Sequence, residues 1–303
     1  MNIKEMQEAP EQPWPEMEKI IADITRQYKS GTTKETSYHS QMALLYCNLK
    51  NAEECRLHAA MVPETADVVD KVNVFISLAR MMVFEKNVGE AIIYYEKCLE
   101  TDPGHEIALD EIAWCCYEEQ RYTEAEKWFG QFMALENGVN DYTIWEGMGL
   151  TLSAQKKYTE AIPCFAKALE LEVSKINTHY YEYLIGLSYA NENDFYRAMA
   201  HYTKSLDAEP RYAPSLNNIG TLYYEHESDI KTAIKYFKQA EEIAETEKDA
   251  QILQLTYINL GRLYDLITDY DLSKLYNNKL LNVLGFPTDD DNNSDNDGDR
   301  HEV

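Results

Sequence analysis

The sequence predicts an all-α fold, a solenoid of about seven helical hairpins that stack in chain order. The first observation is a hairpin between His179 and Tyr212, where apolar residues recur at helical spacing on both sides of a turn marked by Asn193 and Asp194. The second is repetition, because a small residue of the first helix recurs at positions 43, 79, 113, 149, 186, 220 and 261, in steps of 34 to 41 residues. A period of this size indicates an array of helix pairs.

The alternation of small and bulky residues explains why such helices would pack. Small side chains on the first helices let the two helices of a hairpin approach, and bulky ones on the second helices fill the space between neighbouring hairpins. The small residues are Ala79, Ala113, Gly149, Gly186, Gly220 and Gly261, and the bulky ones are Tyr95, Phe129, Phe165, Tyr202 and Phe237. Because no hairpin can bury its apolar face alone, we expect the array to be stable only as a stack.

Three parts follow one another along the chain. Residues 1–34 form an N-terminal segment with a predicted amphipathic helix, whose apolar residues are Met17, Ile20, Ile21, Ile24 and Tyr28. We interpret this helix as a cap on the first hairpin, and the alternative is a segment that folds into a groove and competes with a partner. Residues 35–285 form the repeat array. Residues 286–303 form an acidic tail that is predicted to be disordered, because its Asp- and Asn-rich sequence has almost nothing to bury.

The repeated pattern resembles the tetratricopeptide repeat family, whose motif runs W-x2-L-G-x2-Y, then A-x3-F, then P. One good copy consists of Trp145, Met148, Gly149, Leu152, Ala161 and Phe165. Others consist of Phe75, Leu78, Ala79, Met82, Ala91, Tyr95 and Pro103, and of Leu109, Ile112, Ala113, Cys116, Ala125 and Phe129. Copies that start near His39 and Tyr257 are weaker, as expected of end units with one neighbour. The resemblance implies a right-handed superhelix.

The resemblance also implies a concave groove lined by the first helix of each hairpin. Carried over position by position, the residues predicted to face its middle are Asp110, Glu111, Trp114, Tyr117, Glu146, Tyr180, Tyr183, Asn217, Asn218 and Tyr224. Arg80 and Arg262 would lie nearer its two ends. We expect the three acids of this set to be surface positions, so that the centre is acidic and aromatic. Rings and carboxylates suit the Lys or Arg side chains of a ligand, although an exposed scaffold surface without a ligand is the alternative.

The charge of the chain narrows the classes of partner. Lys and Arg number 28 against 53 for Asp and Glu, which gives a net charge of -25. Nucleic acid and anionic membranes would be repelled over most of such a surface. Basic or amphipathic peptides of other proteins therefore remain as the expected partners.

Cysteine usage and the N-terminal sequence favour a reducing compartment. No pair of cysteines has the C-x-x-C spacing, and we interpret all six as free thiols in helix packing; they are Cys47, Cys55, Cys98, Cys115, Cys116 and Cys164. The first residues lack a signal-peptide core, and no stretch is apolar enough to span a bilayer. We expect a cytoplasmic protein, with a nuclear location as an option in a eukaryote.

No motif for catalysis, a metal or a cofactor is present in the sequence. The histidines are dispersed, and we interpret them as surface or turn residues. Co-chaperones of this family hold the acidic tail of a chaperone with Lys, Asn and Arg, but the corresponding places here are Ile76, Arg80, Glu111, Thr143 and Gly147. We therefore expect no binding to such tails.

The combined reading is a non-enzymatic protein–protein interaction scaffold that binds a basic or amphipathic peptide in its groove. One alternative is a structural or self-associating subunit that uses the C-terminal edge near Leu272 and Leu275, where apolar residues accumulate. Another is the regulatory subunit of an enzyme. These readings differ in which surface is used, so the structure bears on the choice.

Overall fold

The computed structural model describes residues 15–136 and 138–286, and every regular element in that range is helical. Helix α1 spans Pro15–Lys29, and fourteen α-helices follow it in consecutive pairs. The pairs are α2 (Glu35–Asn48) and α3 (Ala52–Ala60), α4 (Val68–Phe84) and α5 (Val88–Thr101), α6 (Glu106–Glu118) and α7 (Tyr122–Met133), α8 (Tyr142–Ala154) and α9 (Tyr158–Leu171), α10 (Thr178–Asn191) and α11 (Phe195–Ala208), α12 (Ala213–Glu225) and α13 (Ile230–Glu247), and α14 (Ala250–Leu266) and α15 (Tyr270–Val283). The predicted all-α repeat fold is confirmed.

The chain divides into two compact units, Met1–Lys157 and Tyr158–Val303. In the first unit α4 packs against α5, α6 packs against α7, and each pair also contacts the next helix in sequence. Ala79 and Ala113 are fully buried on first helices, and Tyr95 and Phe129 are fully buried on second helices. The predicted alternation of small and bulky residues is therefore confirmed in this core.

The second unit repeats the arrangement with glycine on the first helices. A Cβ atom at Gly186 would lie 2.8 Å from the ring of Tyr202, and one at Gly220 would lie 2.9 Å from the ring of Phe237. Only glycine permits so close an approach of helix and ring. In the last pair, Tyr276 is the buried aromatic side chain of the second helix, α15.

One turn geometry recurs between the helices of a pair. A residue in the left-handed region comes first, and in five of the seven pairs the next residue, an Asn or Asp, caps the following helix with its side chain. Asn193, for example, has φ 60°, and Asp194 Oδ1 accepts the backbone N–H of Arg197 at 3.1 Å. The left-handed residues of these turns are Lys50, Lys86, Gln120, Lys156, Asn193, Ser228 and Thr268. The same turn starts the second helix of each pair at an equivalent place.

Helix α1 contacts the first pair through its C-terminal end. The ring of Tyr28 stacks on that of Tyr38 with centroids 4.3 Å apart. The side chains of α1 that the structure describes are half-buried or exposed, and none is fully buried. The interpretation of α1 as a cap stays a prediction. Residues 1–14 and 287–303, which include nearly all of the predicted acidic tail, lie outside the described residues.

Candidate functional site

The ten predicted groove residues divide equally between the two units. Five lie on α6 and α8 of the first unit, and five lie on α10 and α12 of the second. The first-unit set is Asp110, Glu111, Trp114, Tyr117 and Glu146, and the second-unit set is Tyr180, Tyr183, Asn217, Asn218 and Tyr224. Each set is described within its own unit.

Aromatic rings form the centre of the first-unit set. The Trp114 ring lies 5.8 Å from the Tyr117 ring and 5.4 Å from the Phe129 ring, and both pairs are nearly perpendicular. Trp114 is 8% exposed, and its indole Nε1–H has no acceptor among the described residues. Tyr117 is half-buried, so its ring forms the accessible part of this aromatic cluster.

Carboxylates flank these rings. Burial, with smaller contributions from Tyr122, Glu118 and Glu146, raises the pKa of the Tyr117 hydroxyl, which places Glu146 of α8 in the electrostatic surroundings of Tyr117. Asp110, one turn before Trp114 on α6, is half-buried, and burial raises its pKa to about 6. We call Asp110, Trp114, Tyr117 and Glu146 the α6–α8 surface. It combines an aromatic centre with two carboxyl groups.

Glu111 does not belong to this surface, and the expectation that it is a surface position is wrong. Glu111 is only 4% exposed. Arg80 of α4 donates from Nη2 to Glu111 Oε1 at 2.6 Å, and Tyr95 of α5 donates its hydroxyl proton to Oε2 at 2.8 Å. The preceding helix pair supplies both partners, so Glu111 joins two repeats instead of facing solvent. Its charge is balanced by Arg80, which leaves Asp110 and Glu146 as the acids of the surface.

The second-unit set is aromatic and amide-rich. The ring of Tyr183 lies 5.5 Å from that of Tyr212, nearly perpendicular to it, and Asn218 donates from Nδ2 to the Tyr202 hydroxyl at 3.1 Å. Tyr180 packs on the adjacent Tyr181 with ring centroids 5.5 Å apart. These contacts place Tyr183 and Asn218 over the same buried tyrosine, because the Tyr183 and Tyr202 rings are also 6.0 Å apart.

Two residues of the second-unit set are occupied by internal contacts. Asn217 is 5% exposed, and its Oδ1 accepts from Thr256 Oγ1 at 3.3 Å and from Asn259 Nδ2 at 3.4 Å. It therefore links α12 to α14. The guanidinium carbon of Arg262 lies 5.3 Å from the centroid of the Tyr224 ring. The five predicted groove residues of the second unit include no carboxylate. The combination of acidic and aromatic side chains is therefore found in the α6–α8 surface.

The structure also shows lining residues that the carried-over positions missed. A cavity of about 200 Å³ in the second unit is lined by Leu187, Ala190, Asn191, Phe195, Tyr202, Asn218, Thr221, Leu222 and Glu225. Only Asn218 belongs to the predicted set. The missed residues lie on the C-terminal halves of α10 and α12 and on α11, beyond the family positions. Helical spacing from Asn218 to Thr221 and Leu222 was the available signal.

One pair of histidines departs from the expectation of surface or turn positions. His58 is buried, and its Nδ1 lies 2.9 Å from Nδ1 of His39. Tyr38 and Tyr46 pack on the His58 ring at 5.7 and 5.5 Å between centroids. The two histidines are 19 residues apart, in different helices, so spacing on one helix could not reveal the pair.

Other features agree with the sequence or add no further site. The six cysteines are buried and free, as predicted. Within residues 15–136 and 138–286, no three His, Cys, Asp or Glu residues are grouped so as to hold a metal ion. No helix in the part of the chain that the structure describes is both long and apolar enough to cross a bilayer.

Comparison with known proteins identifies the repeat. The tetratricopeptide repeat family model matches residues 73–105, 142–172, 183–212 and 213–247. Photosystem I assembly protein Ycf3 of Rippkaea orientalis is 31% identical over 109 residues, which are 32% of this chain and 63% of that protein. Superkiller protein 3 of Schizosaccharomyces pombe is 23% identical over 285 residues, which are 88% of this chain and 20% of that protein. The chain thus spans less than two thirds of the length of these relatives.

A solved structure shares the fold. PilW, described as a widely conserved type IV pilus biogenesis factor, superposes with a TM-score of 0.57 and 18% sequence identity, over 74% of this chain and 97% of that one. At this identity the likeness shows the fold alone.

Proposed function

We propose that this chain, four segments of which match the tetratricopeptide repeat family model, is a non-enzymatic adaptor that binds a basic or amphipathic peptide of another protein. The observation that carries the proposal is the α6–α8 surface, where the half-buried ring of Tyr117 meets buried Trp114 edge-on at 5.8 Å. Glu146 contributes to the electrostatic surroundings of Tyr117, and Asp110 lies one turn before Trp114 on α6. Proteins that resemble this chain are named as assembly or biogenesis factors, which agrees with a role in bringing other proteins together.

The chemistry of the surface favours a cationic ligand. A Lys or Arg side chain over the face of Tyr117 is attracted by the ring, and a neighbouring carboxylate adds a charge-assisted hydrogen bond. Tyrosine and tryptophan give a large contact area with few rotatable bonds, so little conformational entropy is lost on binding. An apolar side chain on the same ligand can pack on the ring edges, which suits an amphipathic peptide.

The test is binding of immobilised Lys- and Arg-rich amphipathic peptides, each paired with a counterpart in which Gln replaces the basic residues. We expect Tyr117→Ala and Glu146→Gln each to weaken binding by about fivefold or more, as for central contacts of an interface. The Gln counterparts should bind weakly to the unaltered protein. Glu100→Gln is the matched control, because Glu100 is an exposed acid on α5, away from this surface. Binding that is indifferent to Tyr117 and to the peptide charge would rule out the α6–α8 surface.

The same peptide-binding assay can be carried out at different pH values. Because burial raises the pKa of Asp110 to about 6, this carboxyl group is mostly ionised above that pH and neutral below it. Affinity for a basic peptide should therefore fall as pH is lowered from about 7.5 to about 5, a range in which Lys and Arg stay charged. Asp110→Asn should bind more weakly at the higher pH and lose this part of the pH dependence.

Self-association is the second candidate function, and one observation favours it. Helix α15 presents a run of accessible leucines, of which Leu275 is 47% exposed. Leu272 is half-buried and packs on the core of α14 and α15, so of these two leucines Leu275 is the one that can be altered without disturbing packing. A face of this kind on a helix is what a second copy could cover.

Light scattering across a concentration series tests that candidate. If α15 is an interface, the protein should form a dimer whose population rises with concentration, and Leu275→Glu should shift it to monomer. Val173→Glu serves as the control, since Val173 is also an exposed apolar residue of the second unit but lies outside α15. A dimer that survives Leu275→Glu, or a protein that is monomeric throughout, excludes this interface.

A further inference from the structure

A second, larger cavity lies in the second unit, between the start of α11 and the end of α12. Its volume is about 490 Å³, within the range of sites that hold small ligands or single side chains. It is lined by Phe195, Tyr196, Met199, Leu222, Tyr223, His226, Glu227 and Asp229. We call it the α11–α12 cavity. None of these residues belongs to the predicted groove or to the α6–α8 surface.

Aromatic rings make the walls of the cavity. Phe195 and His226 are stacked with centroids 4.2 Å apart, and Tyr196 meets the His226 ring edge-on at 5.8 Å. The ring of Tyr223 stacks on that of Tyr236, with centroids 5.5 Å apart. Tyr196 is 79% exposed, so a large ring stands at the rim with most of its surface in water. The exposed ring of Tyr196 and the ring of Tyr223, both in the lining, are aromatic groups that can attract a cation.

Carboxylates complete the lining. Asp229 accepts the backbone N–H of Thr232 at 3.0 Å and its hydroxyl proton at 2.6 Å. These hydrogen bonds lower the pKa of Asp229 below its usual value, so it carries a negative charge at neutral pH. Glu227 is exposed in the same turn. Among the described residues that line the cavity, none is Lys or Arg.

The arginine nearest in sequence to the cavity residues has its contacts outside the cavity. Arg197 follows Tyr196 on α11, but its Nε lies 2.8 Å from Asp194 Oδ2, and its guanidinium carbon lies 5.1 Å from the centroid of the Tyr189 ring. Neither partner lines the cavity. Lys231 contributes a positive charge near Asp229, but neither Lys231 nor Arg197 lines the cavity. A cation that fills the α11–α12 cavity would therefore come from another molecule.

We propose that the α11–α12 cavity binds an arginine side chain of a partner protein. The planar guanidinium stacks on aromatic faces and donates paired hydrogen bonds to a carboxylate, two features that the cavity offers together. Lysine has a compact, strongly hydrated charge that stacks less well. The apolar side chains of Met199 and Leu222 would contact the methylene groups of the arginine. This site is independent of the α6–α8 surface, because no residue is common to the two.

The experiment is NMR titration of the full chain with N-acetyl-arginine amide, observing the tyrosine and histidine ring signals. N-acetyl-citrulline amide is the matched probe, since it has nearly the same shape and no charge. We expect the arginine compound to shift the signals of Tyr196, Tyr223 and His226, and the citrulline compound to bind about tenfold more weakly. Tyr196→Ala and Glu227→Gln should each weaken arginine binding by about threefold or more. Both residues are exposed, so neither substitution removes packing from the core.

Tyr270→Ala is the control variant, because Tyr270 is an exposed tyrosine of the same unit outside the cavity, and it should leave binding unchanged. Equal affinity for the two compounds would overturn the proposal, as would shifts confined to other side chains. Tighter binding of lysine or trimethyl-lysine amides than of the arginine amide would overturn the choice of arginine. Substitutions in the α6–α8 surface should not alter this titration, so its outcome is separable from that of the groove test.

Discussion

Glu111→Ala is expected to lower the free energy of unfolding by about 3–5 kcal/mol, the cost of breaking a buried ion pair by removing one partner. Arg80 would remain in a site with little water after losing an acceptor at 2.6 Å, and the Tyr95 hydroxyl would lose its acceptor at 2.8 Å. Urea denaturation followed by the helical circular dichroism signal measures the change. Glu100→Gln, an exposed acid on the neighbouring α5, should change the same quantity by less than about 0.5 kcal/mol.

A double substitution separates the ion pair from simple loss of packing. Arg80→Met combined with Glu111→Leu removes both charges and keeps apolar volume, which in other proteins is often neutral or stabilising. We expect this variant to recover most of the stability that Glu111→Ala loses. Should Glu111→Ala cost less than about 1 kcal/mol, or the double variant be no more stable than it, the ion pair would not be the cause.

The second large effect concerns a glycine that contacts a ring of the preceding helix pair. A Cβ atom at Gly147 on α8 would lie 2.4 Å from Cζ of Phe129 on α7, and Phe129 is fully buried. Overpacking of this kind costs about 1–3 kcal/mol, against a gain of about 1 kcal/mol from replacing glycine in a helix. Gly147→Ala should therefore destabilise the protein by up to about 2 kcal/mol in the same denaturation assay.

A second glycine supplies the control for that prediction. No heavy atom lies within 4 Å of the Cβ position of Gly89 on α5, so Gly89→Ala should stabilise the protein by up to about 1 kcal/mol. Phe129→Leu introduced together with Gly147→Ala should relieve the contact and recover part of the loss. If both glycine substitutions shift stability in the same direction, close packing is not the reason for glycine at position 147.

The fold could be predicted because its determinants are local and repeated. Each helix pair shows its apolar spacing and its small and bulky residues within one period, and the same features return along the chain. The last pair shows the limit of this reasoning. In this pair the aromatic place of the motif is occupied by Asn277, which lies opposite Gly261. The buried ring of α15 is that of the preceding residue, Tyr276, stacked on Tyr264 at 5.5 Å. A shift of one position is invisible to a fixed frame, although the aromatic side chain is adjacent.

The candidate site was only partly predictable, because its chemistry depends on contacts between repeats. The family positions include Trp114 and Tyr117, whose rings lie 5.8 Å apart in the structure, but they consider one helix at a time. Whether Glu111 faces solvent depends on Arg80, which is 31 residues earlier, and whether Asn217 is accessible depends on Thr256, which is 39 residues later. The α11–α12 cavity lies partly on a second helix and a turn, which the family positions do not include.

The recurring turn has a consequence for how the repeats can vary. Each of these turns places a residue other than glycine in the left-handed region, such as Lys86 with φ 61° and Thr268 with φ 61°. The left-handed conformation costs most L-residues about 1 kcal/mol, and it costs glycine or asparagine less. The array thus contains several separate positions at which stability can be gained, and one of them, Ser228, lies between Glu227 and Asp229 of the α11–α12 cavity. Substitutions at the positions outside the cavity can change the free energy of unfolding, while the residues that would contact a ligand stay the same.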